Sequence, residues 1–479
     1  MKIVLVSSEA IPFCKTGGLA DVVGTLAKEI EGEGEDVRLF IPYYEKIVPS
    51  FGIEDTGYRA TVPLKGKDII LSLYRHGSTF LVAVPGFFDR NGIYGEKGHD
   101  YTDNDLRFSL FAQGVLRFLK LLSFKPDIIH LNDWQTGMLP VYLREYARKD
   151  EFYKGIGTVF TIHNIGYQGV FARESLSVMG IEERYFSIEG VEFYGNVNFL
   201  KAGIVFSDFV TTVSPRYAEE ITTPAYGFGL DGVLRAKKDK LKGILNGIDY
   251  SVWSPETDRY LYRRFTPSDL RGRALCRYWL MKSSGLYLKS GYPVISYVGR
   301  FASQKGVELI LEVIPYLVGK GFPLVILGTG ERPLEKKLLD LSSRYDEGLF
   351  VYPGFDEKFA HMIYAGSDII MIPSLYEPCG LVQLIALRYG AVPVARMTGG
   401  LADTIEDYNV YENSGTGFLF EDYNPSCFLE ALKRAVSVFP MRKRWHSMMR
   451  RGMEMDFSWK SSVKRYIELY NEVRQGVQG

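Results

Sequence analysis

A chain of 479 residues is longer than one hydrophobic core organises, and it suits two or three domains. Its 57 basic and 57 acidic side chains cancel, which argues against a bulk electrostatic partner such as nucleic acid or an anionic membrane. The four cysteines (Cys14, Cys276, Cys379, Cys427) form no C-x-x-C pair, so neither a disulfide framework nor a zinc site is suggested and a reducing, cytoplasmic setting is expected.

The opening MKIVLVSSEAIPF has an apolar run broken by Ser7, Ser8 and Glu9, so it reads as a first strand rather than a signal peptide. No stretch approaches the roughly 20 apolar residues that span a bilayer. Strand-like segments then alternate with helix-period segments, the signature of parallel sheets built from βαβ units. The first series falls near Ile3 to Val6, Val37 to Ile41, Phe80 to Val84, Ile128 to Leu131, Thr158 to Ile162 and Phe209 to Val213. A second runs through Val294 to Val298, Leu324 to Leu327, Phe350 to Tyr352, Ile369 to Ile372 and Val392 to Ala395. Two doubly wound α/β domains follow, residues 1–245 and 246–455, divided around LKGILNGIDYSVWSP, where an Asn-Gly pair and Pro255 mark a break. A final helix over 456–479 carries Trp459, Val463, Ile467 and Tyr470 at helical spacing.

In open α/β sheets ligands bind beyond the carboxyl ends of the strands, so the polar residues that close strands carry the functional reading. TGGLAD occurs at Thr16 to Asp21 and again at Thr398 to Asp403. Paired glycines at a helix start leave amides free for an anion, or they simply make a turn with an acid in the first helical turn. Lys15 precedes the first copy and adds a point charge beside Gly18. GRFASQKG places Arg300 and Lys305 before a helix, where the dipole disfavours cations unless an anion is present. HLNDW and TIHN close two strands with Asp133 and His163, while His130 lies within its strand. Asp103 and Asp105 in YTDNDLRF read as a helix cap with a first-turn acid rather than a metal site. In IIMIPSLYEPCGLVQL a charge-free strand, a turn holding Glu377 and Cys379, and a helix beginning after Gly380 follow one another.

KTGGLADVVG, HLNDW, TIHN, LNGID, GRFASQKG, YEPCGLVQL and TGGLADT together resemble the bacterial glycogen synthases and related starch synthases, in family order over essentially the whole chain. The resemblance implies the GT-B fold, with two Rossmann-like domains facing across a deep cleft and the last helix crossing back to the first domain. It implies a retaining glucosyl transfer from a nucleotide sugar, usually ADP-glucose, to the non-reducing 4-hydroxyl of an α-1,4-glucan such as glycogen, with no metal cofactor. Lys15 and Gly18 then belong to the donor's phosphate and glucose region, Arg300 and Lys305 to its diphosphate, and Glu377 to its sugar. Cys379, Gly380 and Leu381 lie over the phosphates, Asp133 and His163 beside the glucosyl ring, with Asn246 and Tyr94 also matched. Two positions depart from the family pattern. Val382 stands where Thr is usual, and Phe355 where Tyr often lies near the nucleobase, which leaves ADP-glucose against UDP-glucose open. A transferase with another acceptor and a catalytically dead glucan-binding protein are the alternatives, the second opposed by the intact Lys15, Arg300, Lys305 and Glu377.

Overall fold

The computed structural model describes residues 1–48, 52–64, 67–287 and 290–478. The chain divides into two compact units. The first comprises Met1–Val213, Ala218–Ile244 and Trp459–Gly479, the second Ser214–Tyr217 and Leu245–Ser458.

The first unit is built on a nine-stranded sheet. Its strands are Lys2–Val6 (β1), Asp36–Pro42 (β2), Glu54–Leu64 (β3), Lys67–His76 (β4), Thr79–Ala83 (β5), Ile128–Asn132 (β6), Gly157–Ile162 (β7), Phe209–Thr212 (β8) and Leu241–Gly243 (β9). They lie in the order β9-β8-β7-β6-β1-β2-β5-β4-β3. Neighbours from β9 to β5 are parallel, whereas β4 and β3 add an antiparallel edge. The chain leaves β1 toward β2 and returns on its other side as β6, so the strand order reverses between β1 and β6. That reversal opens a crevice at the carboxyl edge.

β1, β6, β7 and β8 are buried on both faces and read in sequence as apolar runs, whereas the short parallel edge strand β9, with Lys242 exposed at its centre, was not anticipated. β3 and β4 were not anticipated, because their largely exposed positions alternate with polar residues and give no apolar run. The helix Trp459–Gln478 packs on β6, β7 and the helix Gly18–Gly32. Its buried face is Trp459, Val463, Tyr466, Leu469, Tyr470 and Val473. Ile467, expected on that face, is only half-buried and Tyr466 takes its place. A Cβ on Gly157 would meet Val473 at 2.8 Å, so the helix sits against the bare backbone of β7. His130 is fully buried beneath it, with Nδ1 2.7 Å from the Tyr470 hydroxyl and Nε2 2.6 Å from Thr161 Oγ1. Burial pushes its imidazole down to about 3, so it is neutral.

The second unit carries a six-stranded parallel sheet. Its strands are Ile295–Val298 (β10), Leu324–Gly328 (β11), Leu349–Pro353 (β12), Ile369–Ile372 (β13), Val392–Arg396 (β14) and Phe418–Phe420 (β15), ordered β12-β11-β10-β13-β14-β15. Successive side chains face opposite layers: Leu324, Ile326, Ile369 and Met371 enter one core, and Val325, Leu327, Ile370 and Ile372 the other. Each such side chain contributes roughly 1.5–3 kcal/mol on full burial. Here the order reverses between β10 and β13. Among the described residues no helix is long and apolar enough to cross a membrane.

Replacing Tyr470 with Phe strips His130 of a partner inside a dry layer, at an expected cost of about 1–3 kcal/mol. Chemical denaturation of the parent and Tyr470→Phe checks this; equal midpoints would show that the hydroxyl contributes nothing.

Candidate functional site

Both order reversals bring sequence-expected residues together at carboxyl edges. In the first unit, β1 runs into Ser7, Ser8 and Glu9 and then the loop that starts the helix Gly18–Gly32. Glu9 is 3% exposed and was not anticipated. Its carboxylate accepts the Thr16 hydroxyl at 2.8 Å and the Tyr94 hydroxyl at 2.7 Å, and Tyr94 also meets Ser8 Oγ at 2.8 Å. A buried acid directly after a first strand was the available signal. Tyr94 therefore acts through Glu9 on the Thr16–Gly18 loop. Cβ atoms on Gly17 or Gly18 would meet nothing within 4 Å, so this copy of TGGLAD stands open. Lys15 Nζ lies 2.8 Å from Asp21 Oδ1, in a pair with 45% and 33% exposed side chains. Exposed pairs are worth about 0–1 kcal/mol, so an incoming anion draws Lys15 away at little cost.

From β6 the chain enters Asp133 with φ 56° and ψ 179°, a region that side-chain-bearing residues rarely occupy. The turn is held by Asp133 N–H on Thr161 O at 3.0 Å and by His163 N–H on Asp133 Oδ1 at 2.8 Å. Burial raises the Asp133 carboxyl from its ordinary 3.8 to about 7, against the lowering influence of the His163 and Asn164 amides, with Glu9 adding a smaller upward push. Burial also pushes His163 down to about 3, so its ring is neutral. Asn132 donates through Nδ2 to Val6 O and offers Oδ1 to His163 Nε2 at 2.9 Å. That network assigns the ring proton to Nε2 and leaves Nδ1 as an acceptor.

In the second unit β10 leads to Arg300 and Lys305, and β13 to Glu377. Tyr297 donates its hydroxyl to Arg300 O at 2.7 Å, fixing the main chain there. Lys305 Nζ contacts both carboxylate oxygens of Glu377, at 2.8 and 2.6 Å, and Ser374 Oγ donates to Oε2 at 2.9 Å. Lys305 thus has an acid 72 residues away in sequence, and the strain expected of a lone cation before a helix does not arise for it. Gly306, at φ 69°, lets the two loops touch: a Cβ there would fall 1.9 Å from Pro373 O.

The helix after Glu377 is Val382–Arg388, with Leu381 as its N-cap and Gly380 at φ 73° just outside. Gln383 reaches back to donate to the carbonyls of Cys379 at 2.7 Å and Gly380 at 3.0 Å. Burial raises the Cys379 thiol to about 12, and the Asn246 backbone N–H is its hydrogen-bond partner. Cys379 is therefore a packed, unreactive group, and Asn246 joins the same loop from its own side. Phe355, 76% exposed, lies in the loop after β12 on this edge.

Of the two readings of the second TGGLAD, the structure takes the glycine turn rather than the open cradle. Cβ atoms on Gly399 (φ 43°) and Gly400 would sit 2.0 Å from the carbonyls of Glu377 and Cys379, and Gly400 N–H bonds Glu377 O at 3.0 Å. These glycines admit the Glu377 loop instead of a ligand. Asp103 is the N-cap residue of Asn104–Leu121, yet its carboxylate makes no cap bond and grips Arg90 at 2.8 and 2.6 Å.

Residues 2–236 match the family model described as the starch synthase catalytic domain, and residues 283–451 that of glycosyl transferases group 1. The chain is 41% identical to the glycogen synthase of Thermodesulfovibrio yellowstonii, covering 98% of this chain and 97% of that one. It is 43% identical to the glycogen synthase of Geotalea uraniireducens, covering 98% of each. Among solved structures, the catalytic domain of starch synthase IV from Arabidopsis thaliana bound to ADP and acarbose matches with a TM-score of 0.89 and 33% identity over 99% of both chains. Sucrose-phosphate synthase from Thermosynechococcus elongatus, at 16% identity and a TM-score of 0.64, shares the fold alone.

Asp133 gives the fold a definite pH response. With its folded value near 7 and its ordinary value at 3.8, the native state keeps a proton that the unfolded chain has lost between about pH 4 and pH 7. Its contribution to stability therefore declines as pH rises through that window, by about 1.4 kcal/mol per unit of pKa difference. Asp133→Asn escapes the decline, so its stability relative to the parent is expected to improve between pH 5 and pH 8. Melting curves at both pH values test this, and an unchanged difference would mean that Asp133 is ionised throughout.

Proposed function

We infer the reaction from the family to which this chain belongs, the glycogen and starch synthases with the GT-B fold, and propose that it transfers glucose from ADP-glucose to the non-reducing 4-hydroxyl of an α-1,4-glucan, with retention of configuration. The observation that carries this reading is the Lys305–Glu377–Ser374 constellation at the order reversal of the second sheet. It is supported by the ADP and acarbose bound to the Arabidopsis starch synthase domain.

Breaking the bond from anomeric carbon to phosphate leaves negative charge on the diphosphate and an oxocarbenium-like sugar. Two of the three Lys305 ammonium protons are engaged by Glu377, and the third is assigned to a phosphate oxygen. Arg300 and the amides at Gly380 and Leu381 add to the same stabilisation, and Val382 has no hydroxyl to offer; Lys15, in the first unit, is assigned to the donor's phosphates by the family resemblance alone. Three of the roughly four acceptor sites of Glu377 are taken by Lys305 and Ser374, which leaves about one for a sugar hydroxyl. In the first unit, Asp133 and the Nδ1 of neutral His163 are assigned to the glucosyl ring. The acceptor hydroxyl attacks from the face the diphosphate leaves, and a departing phosphate oxygen takes its proton. Neither a covalent enzyme intermediate nor a metal enters this scheme.

Single preorganised donors to a developing anion are worth ~10²–10³ in rate, so Lys305→Ala should lose at least that much turnover. Glu377→Gln, which retains an acceptor for Lys305 and Ser374, should lose comparable turnover and little thermal stability. Circular dichroism separates chemistry from unfolding; a folded Lys305→Ala within a few-fold of the parent would defeat the assignment. Incubating glycogen with labelled ADP-glucose or UDP-glucose, with and without EDTA, tests the rest. Label should enter the glucan from ADP-glucose regardless of chelator. Preference for UDP-glucose would correct the donor, and no label from either would favour a binding protein.

A further inference from the structure

The second unit holds a cavity of about 620 Å³ that none of these roles uses. It lies at the amino edge of the sheet. Asp368, in its wall, immediately precedes β13, whereas Glu377 lies past the other end of that strand. Arg273, 4% exposed, donates to the carbonyls of Ala365 and Gly390, both at 2.9 Å, and to that of Ser367, all at the starts of β13 and β14. The walls are thus fixed by a buried guanidinium.

The charge in those walls is unbalanced. Five arginines (Arg271, Arg273, Arg277, Arg442, Arg450) stand against Asp269 and Asp368. Asp269 is bidentate to Arg271, at 2.8 and 2.7 Å. Asp368 Oδ2 lies 3.0 Å from Arg277 Nε, off the axis of a hydrogen bond, and accepts the Val294 amide at 2.8 Å. The imidazole of His446 is held below its ordinary value, by burial first and then by Arg450, Arg442 and Arg273, with Asp368 opposing.

Donors also outnumber acceptors. Trp445 in the wall is 1% exposed, and among the described residues neither its indole N–H nor the buried Nε groups of Arg273 and Arg277 have a hydrogen-bond acceptor. The Arg442 guanidinium packs 4.0 Å from the Phe439 ring centroid, and no hydrogen bond of its side chain occurs among the described residues. A carboxylate brings one charge and two oxygens, which leaves this surplus standing. A phosphate group brings up to two charges and at least three acceptor oxygens, and suits guanidinium forks. Leu270, Ala274 and Met449 supply apolar wall for an organic remainder.

We propose that this cavity binds a phosphate-bearing small molecule, with Arg442, Arg450, Arg277 and His446 as its donors, separately from the Glu377 edge. Binding to the native state raises the unfolding midpoint in a saturable way. The full chain is titrated with inorganic phosphate at constant ionic strength set by chloride. A saturable rise is expected in the parent and in Lys305→Ala. In Arg442→Gln/Arg450→Gln the apparent Kd should weaken at least about tenfold, since each lost partner is a charge-assisted donor. Arg442→Gln alone, which removes no hydrogen bond of that side chain, gives the same readout at smaller amplitude should the double variant fail to fold. No saturable rise, a rise that survives both arginine variants, or one abolished by Lys305→Ala would overturn the proposal. Glucosyl transfer is not the readout, so this result and the assay of the proposed reaction fail independently.

Discussion

Parallel strand pairing is the constraint on which both units rest. Parallel neighbours cannot be joined by a tight hairpin, so every return of the chain passes through a crossover, and all strands of a series end on one edge. Where the order reverses, adjacent crossovers leave to opposite sides and the loops at that edge are held apart by the sheet itself. In the first unit that places the Glu9–Gly18 loop beside Asp133. In the second it places the Lys305 loop beside Glu377, close enough for an ammonium to span both carboxylate oxygens. The chemistry-bearing residues are far apart in sequence and near in space because the sheet order makes them so.

Much of this was legible in the residues. Most buried parallel strands read as apolar runs, and all eleven expected runs, with Arg38 their one formally charged side chain, are strands in the structure. The parallel strands Leu241–Gly243 and Phe418–Phe420, three residues each, were too short to stand out. What else escaped was of two kinds. Strands with one wet face, such as Glu54–Leu64, carry a pattern set by solvent on one side and lack the apolar signature. Pairings across long separations leave no local trace. The acid that neutralises Lys305, the Asn132 that fixes the His163 tautomer and the hydroxyl that meets His130 are each supplied by another part of the chain. The positive φ of Asp133 is similarly silent in sequence, since nothing around that Asp marks it as held outside the usual backbone regions.

The two TGGLAD segments make the same point in another way. One set of six letters follows a strand and opens a helix in each unit, but Gly17 is extended at φ −156° ahead of its helix whereas Gly399 turns at φ 43° within its own. The surroundings differ as well. Around Gly17 and Gly18 there is space for a ligand, whereas Gly399 and Gly400 are filled by the carbonyls of the Glu377 loop. A glycine pair permits close approach; what approaches is decided by the neighbouring loop.

The helix Trp459–Gln478 belongs to the unit that begins at Met1, although the whole of the second unit is threaded between them. During synthesis the ribosome therefore emits β6 and β7 more than 290 residues before the apolar face that shields them. Until that segment emerges, the apolar surface destined for Tyr466, Tyr470 and Val473 has no native cover. Nascent chains of this design depend on chaperones or on speed to bridge the interval. Vectorial production thus makes the second unit the first that can finish folding, and the unit that starts the message the last.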